Sequence, residues 1–134
     1  MRASTGDAGK LKISGYQNVK ALKAEQGADG LKVRWLITKE TGAENFAMRL
    51  FEMEPGGYSP LHRHPWEHEI FILEGKGLAT DGVNGKEFKS GDSIFIPSDE
   101  IHQLRNTSEE SVKFLCLIPY TRNSQSAGNP LCCC

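Results

Sequence analysis

Residues 62–77 read HRHPWEHEIFILEGKG. Three histidines fall within seven positions, a proline–tryptophan pair divides them, and an apolar run follows at 70–73. The chain holds 4 histidines in 134 residues, so this segment takes all but one. Along a strand, residues two apart point the same way, so His62 and His64 present two imidazoles to one side. Pro65 interrupts the strand and bends the chain. His68 has the parity of Ile70 and Ile72 on the next strand, and a bend at Pro65 returns it beside the first two. The fourth histidine, His102, lies in IHQLRN (101–106), and a hairpin over 92–106 is expected to bring it to the others. Neutral imidazole binds Zn, Cu, Fe, Ni and Mn, so the four together form a candidate site for a divalent metal. Four unrelated surface or capping histidines are the bland alternative, and the clustering weighs against it.

Strand signals dominate the surroundings. LKVRWLI (31–37) alternates Leu31, Val33, Trp35 and Ile37 with Lys32 and Arg34. FAMRLFEM (46–53), IFIL (70–73), SIFIP (93–97), IHQLRN (101–106) and SVKFLCLIPY (111–120) follow. Turn signals separate them at Pro55-Gly56-Gly57, Gly75-Lys76-Gly77, Asp81-Gly82, Asn84-Gly85, Ser90-Gly91-Asp92 and Asn106-Thr107. Many short strands at this spacing predict an all-β sandwich or barrel. A turn or two of helix is expected at NVKALKAEQ (18–26). The reading divides the chain into an N-terminal arm (1–30), partly ordered, a single barrel domain (31–120) and a disordered tail (121–134).

Composition narrows the function. There are 16 Lys and Arg against 17 Asp and Glu, a formal net charge of -1. That balance excludes a nucleic-acid footprint and polybasic membrane attachment. The start, MRASTGDAGKLKIS, lacks an apolar signal core, and apolar runs such as 114–119 are too short to span a bilayer. A soluble, cytoplasmic protein is expected. Of 4 cysteines, Cys116 stands alone in an apolar run and the others are Cys132, Cys133 and Cys134, which is no disulfide framework. A prenylation box would need cysteine at 131, which is Leu131.

Two blocks carry a resemblance. Residues 56–75 follow G-x5-H-x-H-x3-H-x6-G, and residues 91–106 follow G-x5-P-x-D-x2-H-x3-N, from Gly91 through Pro97 and His102 to Asn106. The pair resembles the two motifs of the cupin superfamily, over about residues 31–119. HPWEHEIF and FLCLIP are similar to small single-domain manganese cupins. His68 stands where the family usually has Glu, which points to a four-histidine subgroup. Asp99 stands where it usually has Gly, and Asp tolerates the left-handed conformation better than most residues. The resemblance implies a jelly-roll barrel, or double-stranded β-helix, with a metal inside, and commonly a dimer. It implies His62, His64, His68 and His102 as ligands to one divalent transition metal, Mn or Fe favoured and Zn, Ni or Cu open.

Other residues have two readings each. Glu67 and Glu69 flank His68 with a parity that turns them away from the metal. Arg49 shares a face with Ala47, Phe51 and Met53, and either holds an anionic substrate group inside the barrel or is an exposed strand charge. Phe114 and Cys116 share a face of the last strand and either wall the pocket or belong to the core. Trp66 reads as a packing plug at the bend. The expected function is a metal-dependent enzyme, oxygenase-type, acting on a small organic molecule. A sugar or sugar-phosphate isomerase is an alternative that would want a basic cluster, and a non-catalytic binding or sensing protein is another.

IFIL and FLCLI are apolar on both faces, whereas closing a barrel buries only one. A homodimer covering the outer face is therefore expected. Light scattering at micromolar concentration should give the mass of two chains, and a monomer there would count against it.

Overall fold

The computed structural model describes residues 10–24 and 27–120. Among these residues nine strands follow one another: β1 (Leu22–Lys23), β2 (Asp29–Ile37), β3 (Phe46–Tyr58), β4 (His68–Glu74), β5 (Lys76–Thr80), β6 (Gly85–Lys89), β7 (Ser93–Ile96), β8 (Gln103–Arg105) and β9 (Val112–Pro119). All pairings are antiparallel and join them into one sheet in the order β6-β5-β8-β3-β9-β4-β7, with β2 also on β3 and β1 on β2. The sheet curls about its buried face, the jelly-roll architecture expected from the row of short strands. Among the described residues no helix is long and apolar enough to cross a membrane.

Alternation decides what the sheet encloses. In β9, Val112, Phe114, Cys116 and Ile118 are buried while the residues between them are partly exposed. In β4, His68, Ile70 and Ile72 point inward. Strand β3 adds Ala47, Arg49, Phe51 and Met53. Phe51 and Phe114, directly opposite in register, stack with centroids 5.0 Å apart. Such a pair contributes about 0.5–1.5 kcal/mol beyond its burial.

Strand β3 is longer than its hydrophobic run predicts. It continues through Pro55-Gly56-Gly57, which reads as a turn in the sequence, because the glycines let it bend without ending. A step from Asp29 to Leu31 on β2 matches a step from Tyr58 back to Met53 on β3. Gly56 has φ 79, and a Cβ on Gly57 would lie 2.7 Å from the Gly30 carbonyl oxygen. The bulge carries β3 beyond its pairing with β9 to β8, at Tyr58 opposite Arg105, while β2 stays alongside through Asp29 opposite Tyr58. Buried Asn106 fastens the bend by donating to the Met53 and Glu110 carbonyls at 3.1 and 2.8 Å.

Other expectations need correction. NVKALKAEQ forms no helix over its described part beyond a 3-10 turn at Tyr16–Asn18; Leu22 and Lys23 instead pair with Val33 and Lys32. Nine residues with no cap or apolar face do not hold a helix against a free strand edge. The hairpin of β5 and β6 is absent from the sequence reading, since its residues are glycine-rich or charged and only Phe88 of β6 is buried. The hairpin over 92–106 does not form either. Strand β7 pairs with β4, whereas β8 pairs with β5 and β3, so residues 97–102 cross from one end of the sheet to its middle. The tail 121–134, with Cys132–Cys134, and the first nine residues of the arm lie outside the described residues.

Gly77 marks where two strands come closest. A Cβ there would lie 2.2 Å from the Arg105 carbonyl oxygen and 2.7 Å from Phe88 Cζ. Gly77→Ala should destabilise the protein by about 1–3 kcal/mol, the usual cost of forcing atoms into a packed site, read from urea unfolding. An unchanged midpoint would show that β5 and β8 are not held this tightly.

Candidate metal centre

The site is assembled by backbone before side chains meet. His62 and His102 exchange two hydrogen bonds, His62 N–H to the His102 carbonyl at 3.1 Å and the reverse at 2.9 Å. Asp99 N–H donates to the His64 carbonyl at 2.7 Å. Asp99 has φ 64, the left-handed turn that its sequence position calls for, and it is the one described non-glycine residue there. The crossing segment 97–102 is thus laid directly on 62–64.

Four imidazoles converge as a result. Ligand atoms of His62, His64 and His102 lie within 4.8 Å of one another. Ring centroids are 5.0 Å apart for His62 and His64, 4.8 Å for His62 and His102, and 5.1 Å for His64 and His102. His68 joins them, 4.6 Å from His64 and 5.2 Å from His102, with its Nε2 2.8 Å from His64 Nε2. His68 and His102 are buried, and His62 and His64 half-buried.

The hydrogen bonds fix which nitrogen faces the centre. His64 Nδ1 lies 3.1 Å from the Trp66 carbonyl and His102 Nδ1 lies 2.9 Å from the Glu100 carbonyl. A carbonyl only accepts, so both rings carry hydrogen on Nδ1 and a lone pair on Nε2. His102 Nε2 is buried with no hydrogen-bond partner. With neutral rings, His68 Nε2–H then donates to His64 Nε2. His68 Nδ1 lies 3.2 Å from Cys116 Sγ, and Arg49 Nη2–H donates to that sulfur at 3.0 Å. Trp66, nearly buried, stacks on His64 at 4.3 Å and 12°.

Crowding also sets protonation. Burial, with the neighbouring His68, His102 and His62 rings, holds His64 down to about 3 from its ordinary 6.5, against the opposing pull of the Trp66 carbonyl. Burial holds His102 down to about 4, opposed by the Glu100 carbonyl. Neutral imidazoles with inward lone pairs are what a metal ion requires, so the donor set fits a divalent transition metal.

The remaining candidates divide. Glu67 is partly exposed just before β4, and Glu69 is exposed beside Leu117 and Phe95, on the face of β4 opposite His68 as its parity predicts. Arg49 is fully buried on the inner face, its guanidinium over Trp35 and Phe51 at 5.2 and 4.9 Å. Phe114 is fully buried against Phe51. Sequence reasoning missed the contact of Cys116 with His68, which no local pattern announces. A groove of about 460 Å³ opens beside His102, with Ala79, Ile94, Ile96, Pro97 and Leu104 in its walls.

A family model described as the cupin domain matches residues 49–118. The chain belongs to the cupin family. Among curated cupin relatives, it is 37% identical over 76 residues to the 1-methylthio-D-xylulose 5-phosphate methylsulfurylase of Rhodospirillum rubrum, a match that covers 57% of this chain and 49% of that protein. It is 37% identical over 96 residues to an oxalate-binding protein of Thermotoga maritima, covering 69% of this chain and 78% of that one. Among solved structures, the polyketide cyclase RemF of Streptomyces resistomycificus superposes with a TM-score of 0.77 at 35% identity, over 82% of this chain and 80% of that one.

The low proton affinities set a pH dependence for the metal-free cupin. Below about 6.5 the unfolded chain takes up protons at His64 and His102 that the folded chain refuses until about 3 and 4. The unfolded state binds more protons throughout that window, so stability is complete above it and falls as pH drops. The melting temperature of metal-free protein should decline from pH 7 to pH 4, and the decline should be shallower in a His64→Gln, His102→Gln double variant. Equal slopes would show that these rings do not resist protonation.

Proposed function

We infer that this chain is a metal-dependent cupin enzyme acting on a small, largely apolar organic molecule. One divalent metal, Mn or Fe favoured, is held by His62, His64, His68 and His102. The observation that carries this reading is the convergence of four imidazoles, with inward Nε2 lone pairs on His64 and His102. When bound, such a metal supplies Lewis acidity or a redox couple at the positions the imidazoles leave open.

The groove beside His102 supports the choice of substrate. Its surface is more apolar than polar, which favours a molecule with little charge. Among its described residues Lys86 is the one cation, and Asp81 and Glu100 oppose it. A sugar phosphate would find little to hold its phosphate, which weakens the isomerase reading. The likeness to a polyketide cyclase at 35% identity favours Lewis-acid activation of a carbonyl-bearing substrate. Oxygenase-type oxidation, the reading from sequence, is the alternative and differs in consuming dioxygen. The likeness to an oxalate-binding protein favours a third outcome, binding without turnover. A homodimer belongs to the same proposal: Phe71, Leu73 and Phe95 are 45%, 40% and 59% exposed on the outer face, where a second copy would cover them.

Metal content after dialysis and turnover by the reloaded protein test the proposal together. Each His→Ala variant should lose most of its metal, while Glu67→Gln and Glu69→Gln should keep near wild-type content. Reloaded with Mn, Fe or Zn and given an aryl 1,3,5,7-tetraketone, the protein should form the six-membered aldol product, C2 bonding to the C7 carbonyl carbon and water leaving, equally under air and argon. Dioxygen uptake matched to product would establish the oxygenase alternative. Calorimetric binding with no product would overturn the enzyme reading.

A further inference from the structure

His68 differs from its neighbours in how its ring is held. His64 and His102 are each tied at Nδ1 by a carbonyl two residues away in sequence, from Trp66 and Glu100. Such anchors come with the local turn and no side-chain substitution removes them. His68 begins β4, which pairs with β7 on one side and β9 on the other. Main-chain carbonyls of a strand flanked on both sides are committed to its ladders. A ring on such a strand must find its partner on a side chain of a neighbouring strand.

The register supplies one. Arg49 stands directly opposite Cys116 between β3 and β9, and Cys116 stands opposite Ile70 on β4, one inward position from His68. Trp35 of β2 stands opposite Arg49 at the far end. Arg49, Cys116 and His68 therefore form a row across three adjacent strands on the inner face, and all three are fully buried. Arg49 Nη2 donates to Cys116 Sγ at 3.0 Å, and Sγ meets His68 Nδ1 at 3.2 Å. With the ring hydrogen on Nε2 the sulfur donates to Nδ1, and in the other tautomer, which leaves Nε2 free for a metal, Nδ1–H donates to the sulfur; in both the contact sets the turn of the imidazole and aims Nε2 at the other rings, 2.8 Å from His64 Nε2. The guanidinium, packed over Trp35 and Phe51, keeps the sulfur in place.

We propose that Arg49 and Cys116 are positioning residues that act through His68, holding its ring in the orientation that completes the metal centre. The proposal rests on the reading of His68 as a metal ligand. Contacts behind a ligating histidine typically change metal affinity about 10–100-fold when removed. Arg49 is on this account part of the scaffold of the centre, and the anion-holding role weighed from sequence is replaced.

The test is a double-mutant cycle read as the zinc dissociation constant by chelator competition. Cobalt(II) absorption reports the ligand set, and unfolding of the metal-free variants reports the fold. Cys116→Ala should raise the dissociation constant about 10–100-fold and alter the cobalt spectrum, as ring anchors of this kind do. Cys116→Ser, which keeps an acceptor, should recover most of the affinity, and Arg49→Met should weaken binding less than Cys116→Ala. In a His68→Ala background, Cys116→Ala should change the constant by less than about 2-fold, because the ring through which it acts is gone. If Cys116→Ala does not fold, Cys116→Val, which fills the space and cannot hydrogen-bond, and Arg49→Met carry the same cycle. Equal effects with and without His68, or no effect in either background, would overturn the proposal while leaving the metal centre intact. A wild-type chain that binds neither zinc nor cobalt would instead overturn the metal centre, and this proposal with it.

Discussion

Imidazoles crowded to about 5 Å inside a curled sheet cannot all carry charge, and most of the site follows from that. Burial and mutual repulsion push His64 and His102 toward the neutral form. A neutral ring has one hydrogen, and the protein decides which nitrogen keeps it. Carbonyls of Trp66 and Glu100 take the Nδ1 hydrogens and leave the inner nitrogens with lone pairs. Two such inward lone pairs, crowded with the rings of His62 and His68, are poorly solvated without a cation, and a cation is what their geometry suits.

The sheet exists in a form that permits this crowding because of two departures from regular pairing. The bulge at Gly56 and Gly57 lets one long strand, with β2 along one side, serve β9 at one end and β8 at the other, which curls the sheet about its apolar face. Segment 97–102 then crosses from β7 to β8 and is fixed to 62–64 by three backbone hydrogen bonds. Asp99 accepts a left-handed conformation at the turn, a modest local cost repaid by the placement of His102. The candidate metal centre therefore depends on backbone conformation as much as on its histidines.

Two faces of the same strands serve different ends. The inner residues of β4 and β9, among them His68 and Cys116, face the candidate site and the core. Their outer residues leave an apolar surface around Phe71, Leu115 and Leu117. A likeness to cupins named for cyclisation, methylsulfurylation and oxalate binding shows how widely the scaffold is used. Which of these chemistries a given chain performs is settled by its own site residues and their surroundings, and not by the fold they share.

Much of this was legible in the sequence. The spacing of His62, His64 and His68, the second block ending at Asn106, the turn at Asp99 and the outward parity of Glu67 and Glu69 are local features. Local features follow from the two-residue period of a strand and the conformational limits of single residues. The alternating runs also disclosed the all-β class and most of the strands. The β5–β6 hairpin escaped, because strands with little buried surface carry little hydrophobic pattern, and the short β1 was mistaken for helix for a related reason. Only the tertiary structure decided that 97–102 is a crossing rather than a hairpin. It alone set Arg49, Cys116 and His68 in one row. Cys116 lies 67 residues from Arg49 and 48 from His68. Their meeting is a matter of strand order and register, which are fixed when the whole sheet closes around its core and which no stretch of sequence specifies alone.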